Sequence, residues 1–304
     1  MIVPLQRDED FVEDFHSADK VTGAIHVWWL GQSCFLLKWN GIGVLIDPYL
    51  SDSITRSNRG TETPYNRVSE RVVDPLKLSG MDYVVCTSIR PDRFDTETIL
   101  PLLAANPNLK LVVPAGSKNE VTEALGSASP PTVGINAGAH ETAPPFDFHG
   151  IDAATPKIRR DEHGNSRDIG YVIIFGPFSI YVSGETTWHT HLIKQVRRWP
   201  INLALLPING EERTREKGDT LNGFEAAALA KAISTNIVMP AHFNLFDTGN
   251  VSPDEFLSCC ERLDQRQRIL ELGQRMTMGP VTDPASGKAP QSEPQRDSEW
   301  GLGY

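Results

Sequence analysis

The sequence predicts an α/β fold in four layers, two β-sheets packed face to face with helices on each outer side. Two observations carry this expectation. Short apolar runs separated by turn residues open the chain, and strand-like and helix-like stretches then alternate through both halves. With 304 residues, 39% hydrophobic against 22% charged, the chain has enough apolar side chains for a large core.

Up to about Gly23 the sequence is polar with little period, which predicts an N-terminal arm over 1–24 or a short helix around Phe11 to Phe15. A single domain is expected over 25–279. It opens with Ile25-His26-Val27-Trp28-Trp29-Leu30, Cys34-Phe35-Leu36-Leu37-Lys38 and Gly43-Val44-Leu45-Ile46-Asp47, runs rich in β-formers joined by Gly31-Gln32-Ser33 and Asn40-Gly41. Three such runs with tight turns read as an antiparallel meander.

A polar loop from Ser51 to Asn66 precedes the strand Tyr83-Val84-Val85-Cys86. Asp95-Thr96-Glu97-Thr98 then opens a helix with Ile99, Leu102 and Leu103 inward, and Lys110-Leu111-Val112-Val113-Pro114 leads to a helix over Lys118 to Leu125. This βαβα rhythm implies parallel strands covered by helices. In the second half, strands are expected at Phe146 to Ile151, Gly170 to Phe175, Ser179 to Val182, Asn202 to Leu206 and Asn236 to Met239. Helices are expected at His191 to Arg198 and at Gly223 to Ile233, the latter with Asn222 and Glu225 as a capping box. Ser252-Pro253-Asp254-Glu255 caps a further helix, expected to reach Leu272. The polar, Pro-rich stretch 280–304 is expected to be disordered.

The net charge of −10, from 39 acidic against 29 basic residues, gives no broad positive field, so nucleic acid and anionic membranes are not expected partners. No apolar run approaches a membrane span and the start has no signal-peptide pattern, which predicts a cytoplasmic protein. A homo-oligomer is compatible with the sequence. Cys34, Cys86, Cys259 and Cys260 lack zinc-knuckle spacing and read as reduced, buried thiols.

The chemistry is expected where the strand ending in Cys86-Thr87 runs into Ser88-Ile89-Arg90-Pro91-Asp92-Arg93-Phe94-Asp95, because α/β proteins place sites at the C-terminal ends of strands. Here the chain resembles the metallo-β-lactamase superfamily, in particular its L-ascorbate-6-phosphate lactonase-like branch. Members carry Thr-His-x-His-x-Asp-His where this chain reads Thr87-Ser88-Ile89-Arg90-Pro91-Asp92-Arg93. The flanks agree in order and spacing. Val27-Trp28-Trp29-Leu30-Gly31-Gln32-Ser33 with Ile46-Asp47-Pro48, Ser183-Gly184-Glu185-Thr186, Leu205-Leu206-Pro207-Ile208-Asn209-Gly210 and Met239-Pro240-Ala241-His242-Phe243-Asn244 are similar to its opening hairpin, its bridging-carboxylate segment and its last third.

The resemblance implies two metal ions, and it also shows what is missing. Ser88, Arg90 and Thr155 stand where the family's first metal takes imidazoles, and Arg93 stands where the second does. A hydroxyl is a poor substitute, and a guanidinium, protonated and donor-only, does not ligate. Asp92, Glu185 and His242 remain as a residual metal set and as the expected catalytic residues. Ser88, Arg90, Arg93, Thr155 and Asn209 are the expected ligand-binding residues. Arg90 and Arg93 are expected to offset Asp92 and Glu185, since opposite unit charges about 4 Å apart attract by roughly 4 kcal/mol at an effective dielectric of about 20.

Three readings stay open. The chain is a pseudoenzyme that binds a small anion or a partner protein and holds no metal. Alternatively it is an active hydrolase of lactones or phosphorylated sugars using one weakly bound Zn or Mn, with His140 as a further ligand. Thirdly, it is a metal-free acid–base catalyst using His242 and Glu185. His140-Glu141 reads as a loop, His189 and His191 as helix-start or loop residues, and His163 as a hairpin turn. Arg213, Arg215 and Lys217 are further candidates to assist an anion.

Overall fold

A ten-residue helix, α1 (Asp8–Ser17), comes first, and its Phe11 and Phe15 are fully buried against the sheet that follows. Of the two expectations for this stretch, a loose arm or a short helix around Phe11 to Phe15, the helix is found: two aromatic side chains spaced one helical turn apart anchor it to the core. The computed structural model describes residues 1–210 and 220–279. The meander is present as β1 (Ile25–Gly31), β2 (Cys34–Trp39) and β3 (Ile42–Ile46), antiparallel in sequence order. After the short helix α2 (Ser53–Ser57) come β4 (Met81–Val85), α3 (Thr96–Ala105), β5 (Lys110–Pro114), α4 (Lys118–Leu125) and β6 (Thr132–Ile135). Strands β3 to β6 run parallel, as the alternation predicts.

The second sheet is built from β7 (His140–Ala143), β8 (Phe146–Asp152), β9 (Ile169–Phe175), β10 (Phe178–Val182), β11 (Leu203–Pro207) and β12 (Ile237–Ala241). Helix α5 (Leu192–Val196) joins β10 to β11, and α6 (Gly223–Ala232) joins β11 to β12. Asn222 and Glu225 close the capping box of α6. Helix α7 (Asp254–Arg262) and β13 (Arg275–Met278) end the described chain.

Strand order is β13-β1-β2-β3-β4-β5-β6 in one sheet and β12-β11-β10-β9-β8-β7 in the other, with helices covering both. This is the four-layer α/β arrangement. Strands β1, β9, β10 and β11 are buried along their whole length, as strands covered on both faces must be. All four cysteines are free and buried.

Two further expectations are corrected. The helix predicted to reach Leu272 stops at Arg262, because Asp264 turns left-handed at φ 48° and the chain then returns to pair β13 with β1. The segment at His140-Glu141 is the edge strand β7, where His140 stacks on His149 and its Nε2 lies 3.1 Å from Asp147 Oδ1. His163 is in a turn held by the Asp161 side chain, which accepts from the N–H groups of His163 and Asn165. Among the described residues no helix is long and apolar enough to cross a membrane.

Candidate functional site

Because β1, β3 and β4 in one sheet and β10, β11 and β12 in the other all end on the same side, their following residues converge. Gln32 and Ser33 follow β1, Asp47 follows β3, Ser88 to Arg93 follow β4, Glu185 follows β10, Asn209 follows β11 and His242 follows β12. The centre of this convergence is the Arg93 side chain, 1% exposed. Its Nη1 donates to Asp47 Oδ2 at 3.0 Å and to Ser33 Oγ at 3.1 Å. Its Nη2 donates to His242 Nε2 and lies 3.6 Å from Glu185 Oε1. Arg90 closes the ring by donating to the other Glu185 oxygen, Oε2. The arginines were expected to offset Asp92 and Glu185: both lie against Glu185, Asp92 has no direct arginine contact among the described residues, and the second direct ion pair runs from Arg93 to Asp47.

Asp47 is the residue that sequence reasoning passed over. Its backbone takes φ 44°, a left-handed conformation that Asp tolerates better than most side chains, and this turns the carboxylate inward. There it accepts from Thr87 N at 2.7 Å and Thr87 Oγ1 at 2.8 Å. Burial raises its carboxyl to about 6, against the opposing pull of Arg93 and the Thr87 hydrogen bonds. The only sequence signal was Ile46-Asp47-Pro48, a buried strand ending in an acid.

His242 also sits at a left-handed φ of 65°, and its N–H donates to Gln32 O at 3.0 Å. Burial, and then Arg93, lower its imidazole to about 3, so it is neutral. A guanidinium only donates, so Nε2 must be the accepting nitrogen and the ring proton is on Nδ1. That proton points at the Gln32 side-chain amide, whose nitrogen is placed 3.0 Å away; the amide oxygen, interchangeable with it by rotation, is the atom that accepts.

A cleft of about 390 Å³ opens above this network. Asp92, Glu185, Asn209 and His242 line it, while Tyr65, Phe243 and Phe246 supply apolar wall. The wall is braced from below: Asn66 donates to both Asp247 oxygens, at 2.9 and 2.8 Å, and Val68 N donates to Leu245 O at 2.8 Å. Asp92 is 18% exposed, with Oδ2 3.9 Å from His242 Nε2. Burial opposes its ionisation, but the Arg93 and Arg90 guanidiniums hold it below the usual carboxylate range.

The other expected residues are placed unequally. Of the five ligand-binding candidates only Asn209 lines the cleft. Ser88 is buried and accepts weakly from Arg90 N at 3.4 Å, and Arg90 is spent on Glu185. Thr155 is buried with an unpartnered Oγ1, next to the loop carrying Glu185, where Thr187 N donates to Ala154 O at 2.8 Å. His189 bonds to Asp152 O at 3.0 Å, and His191 is at the start of α5. Arg213, Arg215 and Lys217 lie outside the described residues.

These residues do not fit a metal ion. A divalent ion needs the His242 Nε2 lone pair and carboxylate oxygens at about 2.0–2.2 Å, and here that lone pair and both Glu185 oxygens face guanidinium nitrogens. Among the described residues no three His, Cys, Asp or Glu side chains are grouped to hold one.

Residues 26–242 match the family described as beta-lactamase superfamily domain. A UPF0173 metal-dependent hydrolase of Hyperthermus butylicus is 23% identical over 255 residues, 82% of this chain and 97% of that protein. Among solved structures, Igni18, a metallo hydrolase from Ignicoccus hospitalis, is similar in fold with a TM-score of 0.61 at 19% identity, covering 84% of this chain and 98% of its own. The isothiocyanate hydrolase from Delia radicum gut bacteria superposes with a TM-score of 0.68 at 13% identity, over 84% and 99% of the two chains.

Proposed function

Since the chain belongs to the beta-lactamase superfamily, we propose that it keeps the sandwich and strand-end cleft of a metal-dependent hydrolase while working without the metal, as a protein that binds a small organic molecule. One observation carries this reading: the Arg93 guanidinium donates to His242 Nε2 and fills the space between Asp47 and Glu185. A dication within about 4 Å of that fixed charge would meet a Coulomb repulsion of roughly 8 kcal/mol at an effective dielectric of about 20, twice the value for two unit charges. Without a metal to lower the pKa of bound water, the hydroxide that attacks a lactone or ester is not generated.

A second reading, hydrolysis with one Zn or Mn on Asp92, Glu185 and His242, has in its favour that all three line the one cleft and that the relative from Hyperthermus butylicus bears the name metal-dependent hydrolase. Metal analysis of the protein purified after growth with added zinc and manganese separates the two. The expected outcome is no stoichiometric metal and no chelator-sensitive lactone hydrolysis. One equivalent of metal together with such turnover would sink the metal-free reading.

A further inference from the structure

Among the described residues the charges around the cleft do not cancel. Arg90 and Arg93 are two cations, and Asp47, Glu185 and Asp92 are three carboxylates. The arginines are matched to Glu185 and Asp47 through direct contacts. Asp92 is left over: among the described residues no neighbouring side chain donates to its carboxylate, and the neutral His242 has its Nε2 3.9 Å away, beyond hydrogen-bonding distance. It faces the cleft, as does Asn209, whose side-chain oxygen is buried with no partner. A buried acceptor without a donor, such as the Asn209 oxygen, costs about 1–3 kcal/mol, and with the part-exposed Asp92 carboxylate in the same cavity it marks where a ligand brings donors.

The rest of the lining is consistent with this. Among the described residues that line the cleft there is no Lys or Arg, while Tyr65, Phe243 and Phe246 offer rings to an apolar body or to a cation. The volume of about 390 Å³ is near the lower end of ligand pockets, which run from about 300 to 1,000 Å³. We propose that the cleft binds a small organic amine as its protonated cation, with Asp92 and the Asn209 side-chain oxygen accepting from the ammonium and the aromatic wall holding its apolar part. This names the ligand class for the metal-free binding role proposed above and rests on it.

Titration calorimetry on the full chain at neutral pH with benzylamine, benzyl alcohol and benzoate tests the proposal, because the three share one ring and differ in charge. Benzylamine is expected to bind at least about tenfold more tightly than the alcohol, with benzoate weakest. Asp92→Asn is expected to bring amine and alcohol to parity while keeping the wild-type circular dichroism. Should that variant misfold, the three-probe comparison on wild-type protein and the same comparison on Asn209→Leu, expected to weaken the amine selectively, still decide. Equal or tighter binding of benzoate overturns the amine and points to an anion. Binding of none of the three overturns both the amine and the cleft as a ligand site. Failure of the metal-free reading instead appears as bound metal, which the calorimetry of metal-free protein does not register.

Discussion

At the scale of single residues, the network turns on a neutral histidine and a buried guanidinium that share one hydrogen bond. Two groups in it carry opposite pH dependences. His242 is lowered to about 3 from an ordinary 6.5, so its contribution to stability is present above 6.5 and is lost as pH falls toward 3, when the unfolded chain takes up a proton that the folded one refuses. Asp47 is raised to about 6 from 3.8, so its contribution is present below 3.8 and is lost as pH rises through 6. The two slopes oppose between about 4 and 6. His242→Gln, which keeps a side-chain hydrogen-bonding group for Arg93, is therefore expected to remove a loss of up to about 1.4 kcal/mol per pH unit below 6.5, leaving the Asp47 slope of opposite sign. Urea unfolding across that range reads the difference. Parallel curves for variant and wild type would mean that His242 titrates normally. Arg93 was singled out in the sequence, because it follows the strand end where the site was expected, and it lies at the centre of the network. Asp47 was not, because its role depends on a left-handed turn and on burial, and neither leaves a motif.

At the scale of elements, the strand tips are held by close backbone fits. Gly184 has φ 62°, and a Cβ there would come within 2.8 Å of Thr87 Cβ and 3.0 Å of Thr87 Oγ1, the hydroxyl that donates to Asp47. Gly184→Ala is expected to cost about 1–3 kcal/mol, from strain at positive φ and from displacing Thr87. A urea midpoint unchanged from wild type would show that the turn absorbs the methyl group. The same scale separates what the sequence tells from what it hides. The α6 capping box and the bounds of α4 were readable because caps and period are local signals. Strands β6, β7 and β13 were not: each has four residues, they carry Gly, Thr and charged side chains, and they take their conformation from a neighbouring strand. The segment after Arg262 keeps leucines and an isoleucine at spacings that suit a helix, and only the left-handed Asp264 breaks the pattern.

At the scale of the whole molecule, the four-layer architecture followed from the strand and helix alternation, and the match over residues 26–242 agrees with it. The convergence of six strand ends on one cleft was legible only in part. The walls come from the Ser51 to Asn66 segment, which was expected to be all loop but contains α2, and from the residues after His242, whose sequences announce nothing until they fold against each other. If Ser88, Arg90, Arg93 and Thr155 occupy imidazole positions, then Ser88→His, Arg90→His, Arg93→His and Thr155→His made together remove two guanidinium charges and supply four ligands. That variant is expected to gain zinc or manganese affinity by orders of magnitude over the wild type, read by equilibrium dialysis. A folded quadruple variant that takes up neither ion would show that the correspondence of positions is wrong.

Arg93 reaches Ser33 and Asp47 in one sheet and Glu185 and His242 in the other. It works as a rivet through both halves of the sandwich, sunk where dissolved salt screens it little. A few neutral hydrogen bonds also cross between the sheets, such as Ile169 N to Thr87 O and Tyr171 Oη to Cys86 O, both 3.0 Å, and the rest is apolar packing. Pull the rivet, and the mouth of the molecule would be the first place where its halves slip past one another.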